Sequence, residues 1–236
     1  MSADLGTLAF EFANKVSKII NGTVSNNIEF VVDLVQGGQE AFIYPKGSTY
    51  SNHKFIPVTC GFESDSDQWL WMKVQFKVFL HPTRGYLTVD SYVYGLGISG
   101  NPFHPALRIE FERGRGFEPE HSTVGFHSRN AAHVQIHGVS NEIHYIQHRL
   151  GQTRIRKLEE FHFPVGGRRF RPSLEDFIEF IETEKLVIRL NEGAREVINE
   201  NRKEWLGIQL QAAVANDPEI AAEKLREMGY QVRKEN

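Results

Sequence analysis

The segment 68–80 (QWLWMKVQFKVFL) alternates strictly. Leu70, Met72, Val74, Phe76, Val78 and Leu80 fall on one side, and Trp71, Lys73, Gln75 and Lys77 on the other. A period of two over this length makes a β-strand with one apolar and one wet face. Such a strand must sit in an antiparallel sheet whose apolar face is covered, because parallel sheets bury both faces. That single segment excludes an all-helical fold and points to a sheet with a helical layer.

The neighbouring segments fit the same plan. Residues 27–35 and 39–44 flank Gly37-Gly38, which predicts a hairpin. His81-Pro82-Thr83-Arg84-Gly85 makes a turn into 86–96, where alternation sets Leu87, Val89 and Val93 against Tyr86, Thr88, Tyr92 and Tyr94. Residues 106–112 set Leu107, Ile109 and Phe111 against Arg108, Glu110 and Glu112, and 131–137 (AAHVQIH) reads as a further strand. Residues 160–165 form a candidate edge strand, since Pro164 cannot donate to a central ladder.

Helical spacing brackets the sheet. Leu5, Leu8, Ala9, Phe12, Ala13, Val16, Ile19 and Ile20 share one face of a helix over 3–20, with Ser2 or Asp4 as cap and Asn21-Gly22 as stop. Residues 141–149 form a short helix. Ser173-Leu174-Glu175-Asp176 after Pro172 is an N-terminal capping signature. It starts a helix that buries Leu174, Phe177, Ile178 and Ile181. A long helix follows over about 192–215, and Asp217-Pro218 opens a last one that ends before Gly229. The fold class is therefore α+β: a bent antiparallel sheet of five or more strands, an N-terminal helix on one face and C-terminal helices closing the other. Residues 1–190 form the sheet domain, and 191–236 a helical extension packed on it.

Composition narrows the setting. The chain has 236 residues, a net charge of −3 and one cysteine, Cys60. A lone cysteine makes neither an internal disulfide nor a cysteine zinc site. No apolar run is long enough for a membrane helix, and the N-terminus lacks a basic, apolar leader. A cytoplasmic protein with no cofactor and no membrane partner is expected.

Charge is unevenly spread. Most of the ten histidines lie between His104 and His162. Arg149, Arg154, Arg156, Lys157, Arg168, Arg169 and Arg171 follow, interrupted by Glu159 and Glu160. A local cation surplus suggests an anionic partner. Gly166-Gly167 beside Arg168, Arg169 and Arg171 offers a close backbone approach and forked donors that match phosphate. The same arginines also suit a turn in which they pair with Glu159, Glu160 and the acidic tail, where 172–236 carry 14 acidic and 9 basic residues.

In His133-Val134-Gln135-Ile136-His137, alternation turns Val134 and Ile136 to the core and both histidines to a polar face. Residues four apart on a strand lie roughly 13 Å apart, so the two do not ligate one ion together. Further ligands would have to come from His104, His127 or Glu110. As a proton-transfer group, either histidine suits neutral pH. His144 and His148 sit one helical turn apart but lack the glutamate of zinc hydrolases. No metal site is expected.

Two stretches, AAHVQIHG (131–138) and FHFPVGGRRFRPSLEDFIEFI (161–181), resemble a group of actinobacterial proteins without an assigned activity. More distantly, the order over 105–182 is similar to TumE-family toxins of toxin–antitoxin systems, with Gln135 where a third histidine stands in the fuller pattern. The resemblance implies a sheet-and-helix protein linked to RNA cleavage, with His133, His137, Arg168 and Arg169 as site residues. The leading expectation is an RNA- or nucleotide-interacting protein of a bacterial toxin–antitoxin or phage-defence type, extending to a metal-independent ribonuclease. His133 and His137 would be catalytic, and Arg154, Arg156, Arg168, Arg169 and Arg171 would bind the anion. The alternative is a non-catalytic module that docks a partner protein through a Trp/Tyr sheet face and the acidic helices. A metal-dependent hydrolase is third.

Overall fold

Asp4 starts the first helix by accepting a 2.8 Å hydrogen bond from the Thr7 amide, and α1 runs Leu5–Thr23. Its buried stripe is Leu5, Ala9, Ala13, Val16, Ile19, Ile20 and Thr23. The helix continues through the stop expected at Asn21-Gly22. Gly22 is a packing glycine instead: a Cβ there would sit 3.1 Å from the Val197 side chain. Asn21 clamps the chain that follows, bonding both the amide and the carbonyl of Ile28 at 2.8 Å.

The structure is a computed structural model that describes residues 4–35, 37–48, 55–60, 70–82, 85–98, 105–113, 132–139, 141–149, 153–154, 157–161, 163–165 and 171–233. Among these lie eight strands: β1 (Phe30–Leu34), β2 (Glu40–Pro45), β3 (Ile56–Pro57), β4 (Leu70–Leu80), β5 (Leu87–Ile98), β6 (Leu107–Glu112), β7 (Ala132–Ile136) and β8 (Phe163–Pro164). They form one bent sheet in the order β1-β2-β4-β5-β6-β7-β8. Every pairing is antiparallel. β4 is long enough to pair with β2 through Phe76–Phe79 and with β3 through Trp71–Met72.

Strict alternation would set Tyr92 and Tyr94 opposite Leu87 and Val89. The structure puts all four on the face that packs on the core. The cause is a bulge: Lys77 pairs with Ser91 but Val78 pairs with Val89, so Asp90 is an extra residue that resets the parity of the strand. Tyr92 and Tyr94 are therefore buried core residues. The Trp/Tyr docking face does not form among the described residues, and Trp69 lies outside them.

The helical layer covers one face. α3 (Leu174–Thr183) is capped by Ser173, whose hydroxyl accepts from the Asp176 amide while Asp176 accepts from the Ser173 amide. Leu174, Phe177, Ile178 and Ile181 are buried. Phe12 of α1 meets Phe76 edge-on at 5.0 Å, and Phe177 of α3 stacks on Tyr94 at 5.9 Å. Phe76 and Tyr94 are themselves 5.8 Å apart, so α1 and α3 share a face. This corrects the expected placement of helices on opposite faces. The opposite face carries Lys73, Gln75, Lys77, Arg108 and Glu110, a largely polar surface that suits an apolar helix poorly.

α4 (Ala194–Asn216) and α5 (Pro218–Glu227) follow. The first turns of α4 join the domain. Ala194 and Ile198 are buried, the Asn191 side chain donates to the carbonyls of Asn21 and Ser25, and Arg202 bridges Asp176 and Glu179 of α3. Beyond Trp205 no residue of α4 or α5 is buried. Among the described residues, no helix is long and apolar enough to cross a membrane.

Candidate functional site

The face of β4, β6 and β7 opposite the helical layer carries a polar row, much of it buried. Register sets Lys73, Gly95, Arg108 and Gln135 side by side across β4–β7, with Glu110 next to His133 in the adjoining row. The Arg108 guanidinium donates to the Gln135 side-chain oxygen and lies 3.3 Å from Glu110. The other Glu110 oxygen is 3.2 Å from Nε2 of His133. The Gln135 amide donates to the Glu159 carbonyl at 3.1 Å, which ties the sheet to the 3-10 turn Leu158–Glu160. Burial pushes the Lys73 ammonium down from its ordinary value; the Glu110 carboxylate opposes this and Arg108 adds to it.

Parity correctly places His133 and Gln135 on the face opposite Val134. Their depth is the reverse of what alternation suggests. His133 is 2% exposed and Gln135 6%, whereas Ile136 is 42% exposed. A histidine so enclosed, with Glu110 against it, is held as part of a buried polar network. His137 lies just past the strand with its side chain 46% exposed, and its Nδ1 contacts the Glu159 carboxylate. The two histidines are thus given to different carboxylates. Of the two, His137 combines a neighbouring carboxylate with an open side chain.

The arginines separate. Arg154 is exposed and contacts Glu160, and Lys157 lies 3.7 Å from Glu159. These cations are engaged by the two glutamates that interrupt the belt. Arg171 is only 7% exposed. Its guanidinium lies 4.2 Å from the centre of the Phe111 ring and 4.9 Å from that of Trp205. Burial is the main cause that lowers it to about 10. Phe111 belongs to the helix-covered face and His133 to the other, so the sheet itself stands between Arg171 and the histidines. An arginine so placed packs α4 onto the sheet, and is not an open phosphate ligand. Arg156, Arg168 and Arg169 lie outside the described residues, as do His104 and His127.

Metal chemistry finds no cluster here. Among the described residues, no three His, Cys, Asp or Glu side chains come together in a way that could hold an ion. His144 of α2 (Asn141–Arg149) is half-buried and His148 exposed, so the pair does not present two rings at one depth.

Sequence reasoning missed two features. The partnership of Lys73, Arg108 and Glu110 with His133 depends on strand order, which periodicity does not reveal. The second is the outer surface of α4 and α5. Leu206, Leu210 and Val214 are 58%, 66% and 44% exposed on α4, and Ile220, Leu225 and Met228 are 68%, 39% and 62% exposed on or just past α5. The signal was present: from Trp205 to Asn216 (WLGIQLQAAVAN) the chain carries no charge. No protein-family model, curated protein or solved structure matches the chain.

Proposed function

We propose that this chain is a protein-interaction module whose docking surface is the outer face of α4 and α5. One observation carries this reading: a charge-free stretch of exposed helix bearing large apolar side chains. Scattered exposed leucines are ordinary, but a contiguous apolar surface marks a place where another molecule sits. The attached part of α4 holds that surface rigidly on the domain, through Ile198, Arg202 and the Arg171–Trp205 contact. The lone, buried Cys60 is in keeping with a cytoplasmic setting. A photo-crosslinking residue at position 210, in cells that make the protein, tests the reading. Cross-links to protein at 210, and none from a matched exposed position such as 192, are expected. Silence at 210 overturns the reading.

A second reading rests on the His137–Glu159 pair. An RNA- or nucleotide-interacting protein of toxin–antitoxin or defence type would use His137 for proton transfer and Glu159 to orient it. The distant TumE-like order over 105–182 points the same way. It stands second because Arg154 and Lys157, which would face the phosphates, are engaged by Glu160 and Glu159. Under this reading His137→Ala costs roughly 100-fold in RNA cleavage. Diverse RNAs left intact by the purified wild-type chain would remove it.

A further inference from the structure

We infer that the occupant of the α4 surface is a second copy of this chain, paired with α4 antiparallel about a two-fold axis near Leu210. The inference rests on the interaction-module reading and names its partner.

Residues at three- and four-residue spacing share one face of a helix. On α4 that spacing joins Lys203, Leu206, Leu210 and Val214, with Gly207 and Ala213 on its flanks and Asp217 capping the helix just past Asn216. The stripe is self-complementary about Leu210. Leu206 and Val214 lie four residues to either side of it, and Gly207 and Ala213 three. Lys203 and Asp217 lie seven to either side and carry opposite charges. In an isologous pair, residue i meets residue j and residue j meets residue i. Leucine then meets valine, glycine meets alanine, and Lys203 of each copy meets Asp217 of the other. A strongly cationic or anionic partner would find no matching surface, because the stripe between those two residues is uncharged.

Gly207 is an independent pointer. Glycine weakens a helix interior, and among the described residues this one serves no packing, since a Cβ there would meet none of them within 4 Å. Facing Ala213 of a second copy, it allows two helices to approach closely.

The test is sedimentation of the purified full-length chain over a range of concentrations. The wild type is expected at twice its 27.0 kDa chain mass. Gly207→Leu fills open space in the single chain and favours helix, so its Tm at low concentration should hold or rise. In the pair it forces the helices apart, weakening association on the order of 100-fold. Lys203→Glu turns two attractions into two repulsions and should weaken association about tenfold. Adding Asp217→Lys to Lys203→Glu should restore it. A wild type that stays monomeric overturns the inference. So does a dimer indifferent to both Gly207→Leu and Lys203→Glu. Cross-linking at position 210 then separates the two failures: links to a different protein keep the module and remove only the second copy, and silence removes both.

Discussion

Strand β7 and helix α4 break the same rule in opposite directions. On β7, His133 and Gln135 are polar and buried while Ile136 is apolar and open. On α4, Leu206 and Leu210 are apolar and open although the same helix buries Ile198 two turns earlier. Periodicity reports which side chains share a face. It does not report whether anything lies on that face. For β7 the cover is supplied at least in part by the turn at Leu158–Glu160, which accepts from Gln135. For α4 beyond Trp205, no described residue is buried; under the proposed reading the cover is a second copy.

The sharpest way to break this comparison is to remove the buried groups that hold each region to the domain. Arg171→Ala should be the most damaging substitution, costing roughly 3 kcal/mol, because it strips the packing between Phe111 and Trp205 that seats α4. Arg171→Met should cost markedly less, since an apolar chain of similar length fills the space without a buried charge. Urea unfolding of the three proteins checks both. An equal loss for Ala and Met would mean that charge, and not packing, fixes α4.

His133→Ala comes next. It leaves a cavity on β7 and takes away one of the partners of Glu110, an expected loss of about 2 kcal/mol. His137→Ala, on the open side of the same turn, should stay within about 0.5 kcal/mol. Similar values for the two would contradict the difference in depth.

These outcomes bear on how far the sequence was legible. α1, the β1–β2 hairpin, β4, β6 and the Ser173 cap of α3 are each written in a local pattern, and the structure has them where periodicity and capping chemistry put them. β5 defeats alternation because Asp90 bulges, a choice made by pairing with β4 and invisible within 86–96. The site is less legible still. Arg171 looks like one member of a basic run, yet its surroundings come from Phe111 and Trp205, far away in sequence. His133 looks like an open catalytic histidine until β6 brings Glu110 beside it. Residue type marks a candidate, and only long-range packing decides its depth.

Glu175 extends the comparison to pH. It is 5% exposed in the first turn of α3, and burial raises its carboxyl above the ordinary value, with its own backbone amide and Ser173 opposing. A raised folded-state value means that the native state holds the proton more tightly than the unfolded chain. The associated stability is full below the ordinary carboxylate range and is lost as pH rises through the folded value. Glu175→Gln should therefore raise Tm at neutral pH and flatten the Tm profile just above the ordinary carboxylate range. A variant that is less stable at pH 7 would show that the ionised carboxylate is satisfied where it sits.

The smallest effect belongs to α4 itself, and it separates the two regions most cleanly. In a single chain Leu210 is 66% exposed, so Leu210→Ser removes little buried area and should change the stability of dilute protein by less than about 0.5 kcal/mol. Concentration brings out the difference. If a second copy covers the stripe, binding to the folded state adds stability by mass action, and the wild-type Tm climbs as protein concentration rises. Leu210→Ser should abolish that climb and leave the dilute value in place. The corresponding change on β7, His133→Ala, should lower Tm by a similar amount at every concentration, because its partners lie within the chain. Parallel concentration series for the two variants are thus the direct measure of whether a face is covered from inside or from outside. A wild-type Tm independent of concentration would remove the second copy as the cover of α4.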